Sequence, residues 1–173
     1  MIIMMAGLPA SGKSTVARRL AARLPSSVIL DKDVIRAALF PTPEITYSTE
    51  QDDFCMQVML ETAEYLLRRD PSKVVILDGR TFSRRYQRDR VRAFAARLET
   101  RLEIVECVCS DEAARQRLER DVATGQHVAQ NRTVDLYWAV KDRFEPIQGP
   151  KLVLATDSDL DQCVQSALAH LGG

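Results

Sequence analysis

The sequence predicts an α/β fold in which a parallel β-sheet is buried on both faces by helices, and three observations predict it. Short apolar runs at Ile2 to Ala6, Ser27 to Leu30, Lys73 to Leu77, Leu102 to Cys109 and Leu152 to Ala155 have the length and composition of doubly buried strands. Each is followed by a stretch with helical spacing, the alternation that generates parallel crossovers. Between the first run and the first helix stands Gly7-Leu8-Pro9-Ala10-Ser11-Gly12-Lys13-Ser14, a complete G-x-x-x-x-G-K-[ST] pattern, which requires a strand before it and a helix after it.

The first helix is expected over 13–24, with Val16, Leu20 and Leu24 on one side. Strand, loop and helix therefore arrive in the order that gives the loop its chemistry. Gly7 and Gly12 let the backbone curl so that successive N–H groups cradle phosphate oxygens at a helix N-terminus. Lys13 is placed to reach the β- and γ-phosphates, Ser14 offers its hydroxyl to a magnesium ion, and Thr15 continues the helix whose dipole favours the anion. The expected ATP-binding residues are thus Gly7, Leu8, Pro9, Ala10, Ser11, Gly12, Lys13, Ser14 and Thr15, with ATP and Mg2+ as cofactors.

The second strand runs into Asp31-Lys32-Asp33-Val34-Ile35-Arg36, and a helix is expected over 33–39. Strand C-terminal ends face the ligand crevice of a parallel sheet, so these carboxylates belong near the γ-phosphate. Asp33 is the candidate base for an acceptor hydroxyl. Arg36, one turn later on the same side, is the candidate contact to a phosphate or transferring oxygen. Asp33 also stands where an aspartate commonly caps a helix. Phe40 to Thr49, with Pro41 and Pro43, is suited to framing a substrate pocket before a long helix over 49–69 that Ser48 caps.

The third strand closes on Asp78-Gly79, the shape of a Walker B strand whose acid, Asp78, supports magnesium. No second acid follows it, which disfavours the water activation used by motor and remodelling ATPases. Guanine-reading signals are missing as well. A helix over 83–98, with Ser83 as its expected cap, carries an unusual charge: Arg80, Arg84, Arg85, Arg88, Arg90 and Arg92 fall within thirteen residues. Arg84, Arg88 and Arg92 stack on one face, and Arg80 and Arg84, nearest the ligand edge, are the candidate substrate contacts.

After the fourth strand a helix over 110–121, capped by Ser110, presents Arg115, Arg117 and Arg120. Arg117 and Arg120 share a face and are the candidate lid arginines that neutralise the transferring phosphoryl group. Val122 to Arg132, with Gly125 and His127, is expected to form a lid at approximately 121–132. A helix over 133–143 follows, capped by Thr133, in which Tyr137 and Trp138 are expected to pack in the core; the final helix is expected over 158–171. His127 and His170 have no sequence partners that suggest a role.

The chain has 173 residues and 46% hydrophobic content, an ordinary size for a single domain spanning 1–173. Its 24 basic and 24 acidic residues cancel, so no global charge advertises a nucleic-acid or membrane partner. Apolar runs are far shorter than a membrane span, and the first residues are needed for the first strand. Cys55, Cys107, Cys109 and Cys163 show neither a zinc spacing nor a C-x-x-C motif and read as buried, reduced thiols of a cytoplasmic protein. Nothing in the sequence specifies an oligomeric state.

Together these pieces resemble a known group, the small P-loop kinases related to phage-type polynucleotide 5'-hydroxyl kinases, adenylyl-sulfate kinases, gluconate kinases and chloramphenicol phosphotransferases. The resemblance lies in Gly7 to Thr15, Asp31 to Arg36, Val74 to Gly79 with Thr81 to Arg85, Glu119 to Asp121, and Phe144 to Pro146. It implies a three-layer P-loop NTPase fold with sheet order 2-3-1-4-5, ATP as donor and an acceptor hydroxyl. In the polynucleotide kinases an Asp and an Arg three residues later supply the base and a phosphate contact, which maps onto Asp33 and Arg36. Their lid carries an Arg before a Gly; here Thr124 precedes Gly125. The expected acceptor is therefore a small hydroxylated molecule, with a polynucleotide 5'-hydroxyl as the less favoured alternative and a non-catalytic ATP-binding module as the third.

Overall fold

The computed structural model describes residues 1–124 and 133–172. Five strands, β1 (Ile2–Ala6), β2 (Ser27–Asp31), β3 (Val74–Asp78), β4 (Leu102–Val108) and β5 (Leu152–Ala155), form one parallel sheet in the order β2-β3-β1-β4-β5. Among the described residues the helices are α1 (Lys13–Ala21), α2 (Lys32–Leu39), α3 (Thr49–Arg69), α4 (Arg85–Arg97), α5 (Asp111–Thr124), α6 (Val134–Asp142) and α7 (Leu160–Gly172), with a 3-10 turn at Thr42–Glu44. The fold is thus the α/β P-loop NTPase fold that the sequence predicts.

Alternation along β1 shows why the strand reads as an unbroken apolar run. Ile2, Met4 and Ala6 point into one core layer with Met59 and Ala63 of α3 and Val91 and Phe94 of α4. Ile3 and Met5 point into the other, with Val16 and Leu20 of α1 and Val164 and Ala167 of α7. Both faces are covered, so neither set of positions tolerates a polar side chain.

β2 and β3 each end one residue later than the apolar runs suggest, on Asp31 and Asp78, which stand side by side in register. Asp31 is the cap of α2: its Oδ1 accepts from the backbone N–H of Asp33 at 2.8 Å and of Val34 at 3.3 Å. The turn after β3 is built around that cap. Gly79 has φ +83, and a Cβ there would lie 2.8 Å from both Asp31 Oδ1 and the Lys32 backbone nitrogen. A second acid after Asp78 is therefore excluded by sterics as well as absent from the sequence.

Four expectations are corrected. Ser83 does not cap α4; the helix starts at Arg85, whose N–H is taken by the Glu145 carboxylate, while the Ser83 carbonyl accepts from the Glu145 N–H at 2.8 Å. Trp138 is 44% exposed rather than packed in the core, and Tyr137 beside it takes the buried position. One face of a short surface helix buries only one of two adjacent residues. Cys109 lies beyond β4 and is only partly buried, whereas Cys55, Cys107 and Cys163 are buried. α5 continues to Thr124, past the expected end at 121. Gly125, His127 and Arg132, and with them most of the expected lid, lie outside the described residues.

The arginine face of α4 has a structural use. Arg88 is buried and donates to the carbonyls of Phe82 at 2.7 Å and Pro146 at 3.3 Å. Arg92 donates to the Gln148 carbonyl at 2.8 Å, and Arg84 reaches the Arg143 carbonyl at 3.4 Å. The face thereby fastens the segment after α6 to the β3–α4 turn, and the Gly7 N–H donates to Thr81 O in that turn at 3.1 Å.

Gly79→Ala is expected to destabilise the protein by about 2 to 4 kcal/mol, through the left-handed backbone and the clash with the α2 cap. Urea unfolding checks this; a midpoint within error of the parent's would show that the turn relaxes freely.

Candidate active site

The C-terminal ends of β1, β2 and β3 and the first turn of α1 open onto one cavity of about 640 Å³. Of the expected site residues, Pro9, Ala10, Gly12, Lys13, Ser14 and Thr15 line it from the loop; Asp33, Arg36, Arg80, Arg117 and Arg120 line it from the surrounding elements. Gly7, Leu8 and Ser11 sit on the other side of the loop, against a smaller cavity of about 240 Å³. Arg84 lies outside both, engaged with Glu145 and Arg143.

The loop wall is arranged for an anion. Most described helices receive a capping carboxylate or hydroxyl, from Asp31, Ser48, Glu145, Ser110, Thr133 and Asp159 for α2 to α7 in turn. α1 has no side-chain cap and no acid in its first turn; its N-cap is Gly12 at φ +84. The positive end of the α1 dipole therefore opens onto the cavity with no side chain set against it. Lys13 Nζ donates to the carbonyls of Leu8 at 2.6 Å and Gly7 at 3.0 Å, which holds its charge within the loop.

Arg117 ties this loop to the far edge of the sheet. Its guanidinium donates to Ala10 O at 3.0 Å, Thr156 Oγ1 at 3.1 Å and Thr156 O at 2.8 Å, and Thr156 Oγ1 donates to Ser11 O at 2.9 Å. Arg120, one turn further along α5, faces the same cavity, whereas Arg115 is spent on Glu112 and Glu119.

The opposite wall is a cluster of alternating charge. Asp33, released from capping by Asp31, accepts from Arg36 Nη1 at 2.6 Å and lies 3.2 Å from Lys32 Nζ. Asp52, from the first turn of α3, takes Lys32 Nζ at 2.7 Å and pairs with Arg36 Nη2. The Arg36 guanidinium is buried and sits 4.9 Å from the centre of the Tyr47 ring. Arg80, also buried, pairs with Asp53 at 2.7 Å. Burial pulls the Lys32 ammonium down to about 8, although Asp33 beside it acts in the opposite direction. Burial and then the neighbouring Asp78 push the Asp31 carboxyl above its usual range. Asp78 itself is buried beneath the loop wall, and its Oδ1 has no hydrogen-bond partner among the described residues. No group of three or more acidic, histidine or cysteine side chains suited to a metal occurs among the described residues.

Several of these residues carry no motif. Tyr47 and Asp52 become site residues only because α2 and α3 pack together over the end of β2, where they meet Arg36 and, for Asp52, Lys32. In sequence, Asp52 reads as an acid complementing a helix dipole. Thr156 was accessible to inference, since it follows the end of a strand in a parallel sheet.

The AAA_33 family, described as an AAA domain, matches residues 2–147. This chain belongs to that family. No curated protein sequence matches it. Among solved structures, the APS kinase CysC of Mycobacterium tuberculosis, in complex with AMPPNP and APS, is similar with a TM-score of 0.74 and 20% identity, over 99% of this chain and 97% of that one. Kti12 of Chaetomium thermophilum, in complex with ADP-AlF3, has a TM-score of 0.71 and 20% identity over 98% of each chain. A gluconokinase of Sinorhizobium meliloti 1021 has a TM-score of 0.67 and 19% identity, over 98% of this chain and 90% of that one. At such identities the likeness is one of fold, the kinase-like P-loop fold. No described helix is long and apolar enough to cross a membrane.

Lys32 is expected to titrate near pH 8 instead of near the usual lysine value. Its folded-state pKa is depressed, so the unfolded chain binds the extra proton between about pH 8 and 10.5, and stability rises with pH across that window. Relative to Lys32→Met, the parent should gain about 3 kcal/mol between those limits. Parallel urea titrations at several pH values check the sign; an unchanged difference would mean that Lys32 is solvated.

Proposed function

We propose that this chain is an ATP-dependent phosphotransferase that moves the γ-phosphoryl group to a hydroxyl of a small molecule bound against Asp33. The observation that carries the reading is that Asp31, not Asp33, caps α2. Asp33 is left with a carboxylate on the same cavity as Lys13 and the uncapped end of α1. ATP would lie on Gly7 to Thr15, with Lys13 and the α1 amides on its phosphates and Arg117 and Arg120 on the loop side. The Asp78 Oδ1 atom, buried with no hydrogen-bond partner among the described residues, and the Ser14 hydroxyl suit a magnesium ion held mainly by phosphate oxygens and water. Such an ion supplies charge neutralisation at the phosphates.

The remaining chemistry belongs to the side chains. Asp33 orients the acceptor hydroxyl and accepts its proton as the new P–O bond forms and the bond to the ADP oxygen breaks. Arg36 and Lys32 fix the Asp33 carboxylate from two directions, so that it need not reorganise. Similarity in fold to an APS kinase and a gluconokinase supports a kinase with a small acceptor. A polynucleotide acceptor has weaker support, because Arg84, Arg88 and Arg92 are committed to the segment after α6 and Arg85 to Asp89.

An ATP-consumption screen over hydroxylated metabolites, nucleosides, aminoglycoside-like drugs and 5'-hydroxyl oligonucleotides tests the proposal. With the acceptor found, Asp33→Asn is expected to lower transfer by about 100-fold or more. AMPPNP affinity should stay within about 3-fold of the parent's. Unchanged turnover would remove Asp33 from the chemistry. Lys13→Ala is expected to weaken AMPPNP binding by at least about 10-fold through loss of its charged contact to the phosphates. Equal binding by the parent and this variant would mean that the loop does not hold the nucleotide.

A further inference from the structure

The two walls of the cavity carry different charge. On the loop side, Lys13, Arg18, Arg117 and Arg120 line the cavity with only Asp121 of opposite sign among the described residues. A polyphosphate suits that surplus. On the Asp33 side every cation is already matched inside the protein. Arg36 gives one terminal nitrogen to Asp33 and the other to Asp52, with Tyr47 against its guanidinium face. Lys32 is held between the same two carboxylates, and Arg80 is paired with Asp53. Three buried cations thus meet three carboxylates, and Asp31 stands beside them. Arg143, which also lines the cavity, is exposed at its rim.

We propose that Asp52 is a specificity-determining residue that neutralises the acceptor wall, so that this site takes an acceptor without net negative charge, a neutral or amine-bearing polyhydroxylated molecule. The proposal rests on reading the cavity as a phosphoryl-transfer site. Its physical basis is separate. An anionic acceptor would have to draw Arg36, Lys32 or Arg80 away from a carboxylate in a buried setting, and the abandoned carboxylate would then be left without its partner. A neutral hydroxylated molecule needs only the remaining lone pairs of Asp33 and Asp52, which line the cavity, as hydrogen-bond partners, and it leaves the ion pairs intact. Without Asp52, Lys32 and one end of Arg36 would turn to the cavity, and the same wall would become a fork for carboxylate, sulfate or phosphate. One carboxylate on α3 therefore decides between two acceptor classes.

The test uses inorganic sulfate as the probe on the full chain saturated with AMPPNP and magnesium, by calorimetry at constant ionic strength. The parent is expected to show no saturable sulfate binding. Asp52→Asn is expected to gain a site at least about 10-fold tighter than anything in the parent, weakened by added salt. Asp53→Asn, which frees Arg80, is expected to gain one as well and serves if the first variant does not fold. Saturable binding by the parent as tight as by the variants overturns the proposal, as does the absence of a gained site in both variants. Failure of the transfer-site reading shows elsewhere, in parent AMPPNP affinity no greater than that of Lys13→Ala.

Discussion

Most of what is distinctive about the site depends on one short hydrogen bond, from the Asp33 backbone N–H to Asp31 Oδ1. A carboxylate at the last position of β2 caps α2, which spares the next acid for the cavity. The same oxygen occupies the space a side chain at position 79 would need, so the turn after Asp78 must be glycine. It also sets a second carboxylate beside Asp78, where burial and mutual repulsion raise the Asp31 pKa. Helix start, turn and acid pair are thus one packing problem with one solution.

Burial explains why the wall around Asp33 is a network rather than a set of separate pairs. Arg36, Lys32 and Arg80 are nearly inaccessible, and an isolated charge at such depth is untenable. Each is therefore tied to a carboxylate from α2 or α3. The arrangement fixes Asp33 at the cost of desolvating several ions, which is tolerable because both helices hold their partners rigidly against the sheet. The loop wall follows the opposite logic. Its helix end has no side-chain cap, and among the described residues that line it the cations outnumber the acids, which suits it to a bound anion.

The arginines show how little residue type alone settles. Arg117 reaches in to bind the loop carbonyl of Ala10 and both oxygens of Thr156, joining P-loop, α5 and the end of β5. Arg88 is a buried clasp on two carbonyls. Arg84 and Arg92 hold the chain after α6, and Arg115 makes exposed pairs of small energetic weight. Side chains that look equivalent on a helical wheel differ because neighbouring segments offer carbonyls to some and carboxylates to others.

The sequence by itself determined the strand and helix sequence, the phosphate-binding loop and the placement of Asp33 and Arg36 on one side of α2, because each is carried by local periodicity or fixed spacing; that Arg36 spends its guanidinium on Asp33 and Asp52 was not legible there. It also placed Arg80, Arg117 and Arg120 near the ligand edge, where they line the cavity. Ser83 and Trp138 were misjudged for the same reason: a cap or a core position is decided by which segment arrives from elsewhere, here Glu145 at α4 and a packing surface for Tyr137 alone. Asp52, Asp53, Tyr47 and Lys32 acquire their meaning only through the packing of α3 against α2. Local chemistry wrote the loop, whereas the charge of the wall facing it was decided by tertiary structure, since ion pairing depends on distances between residues remote in the chain.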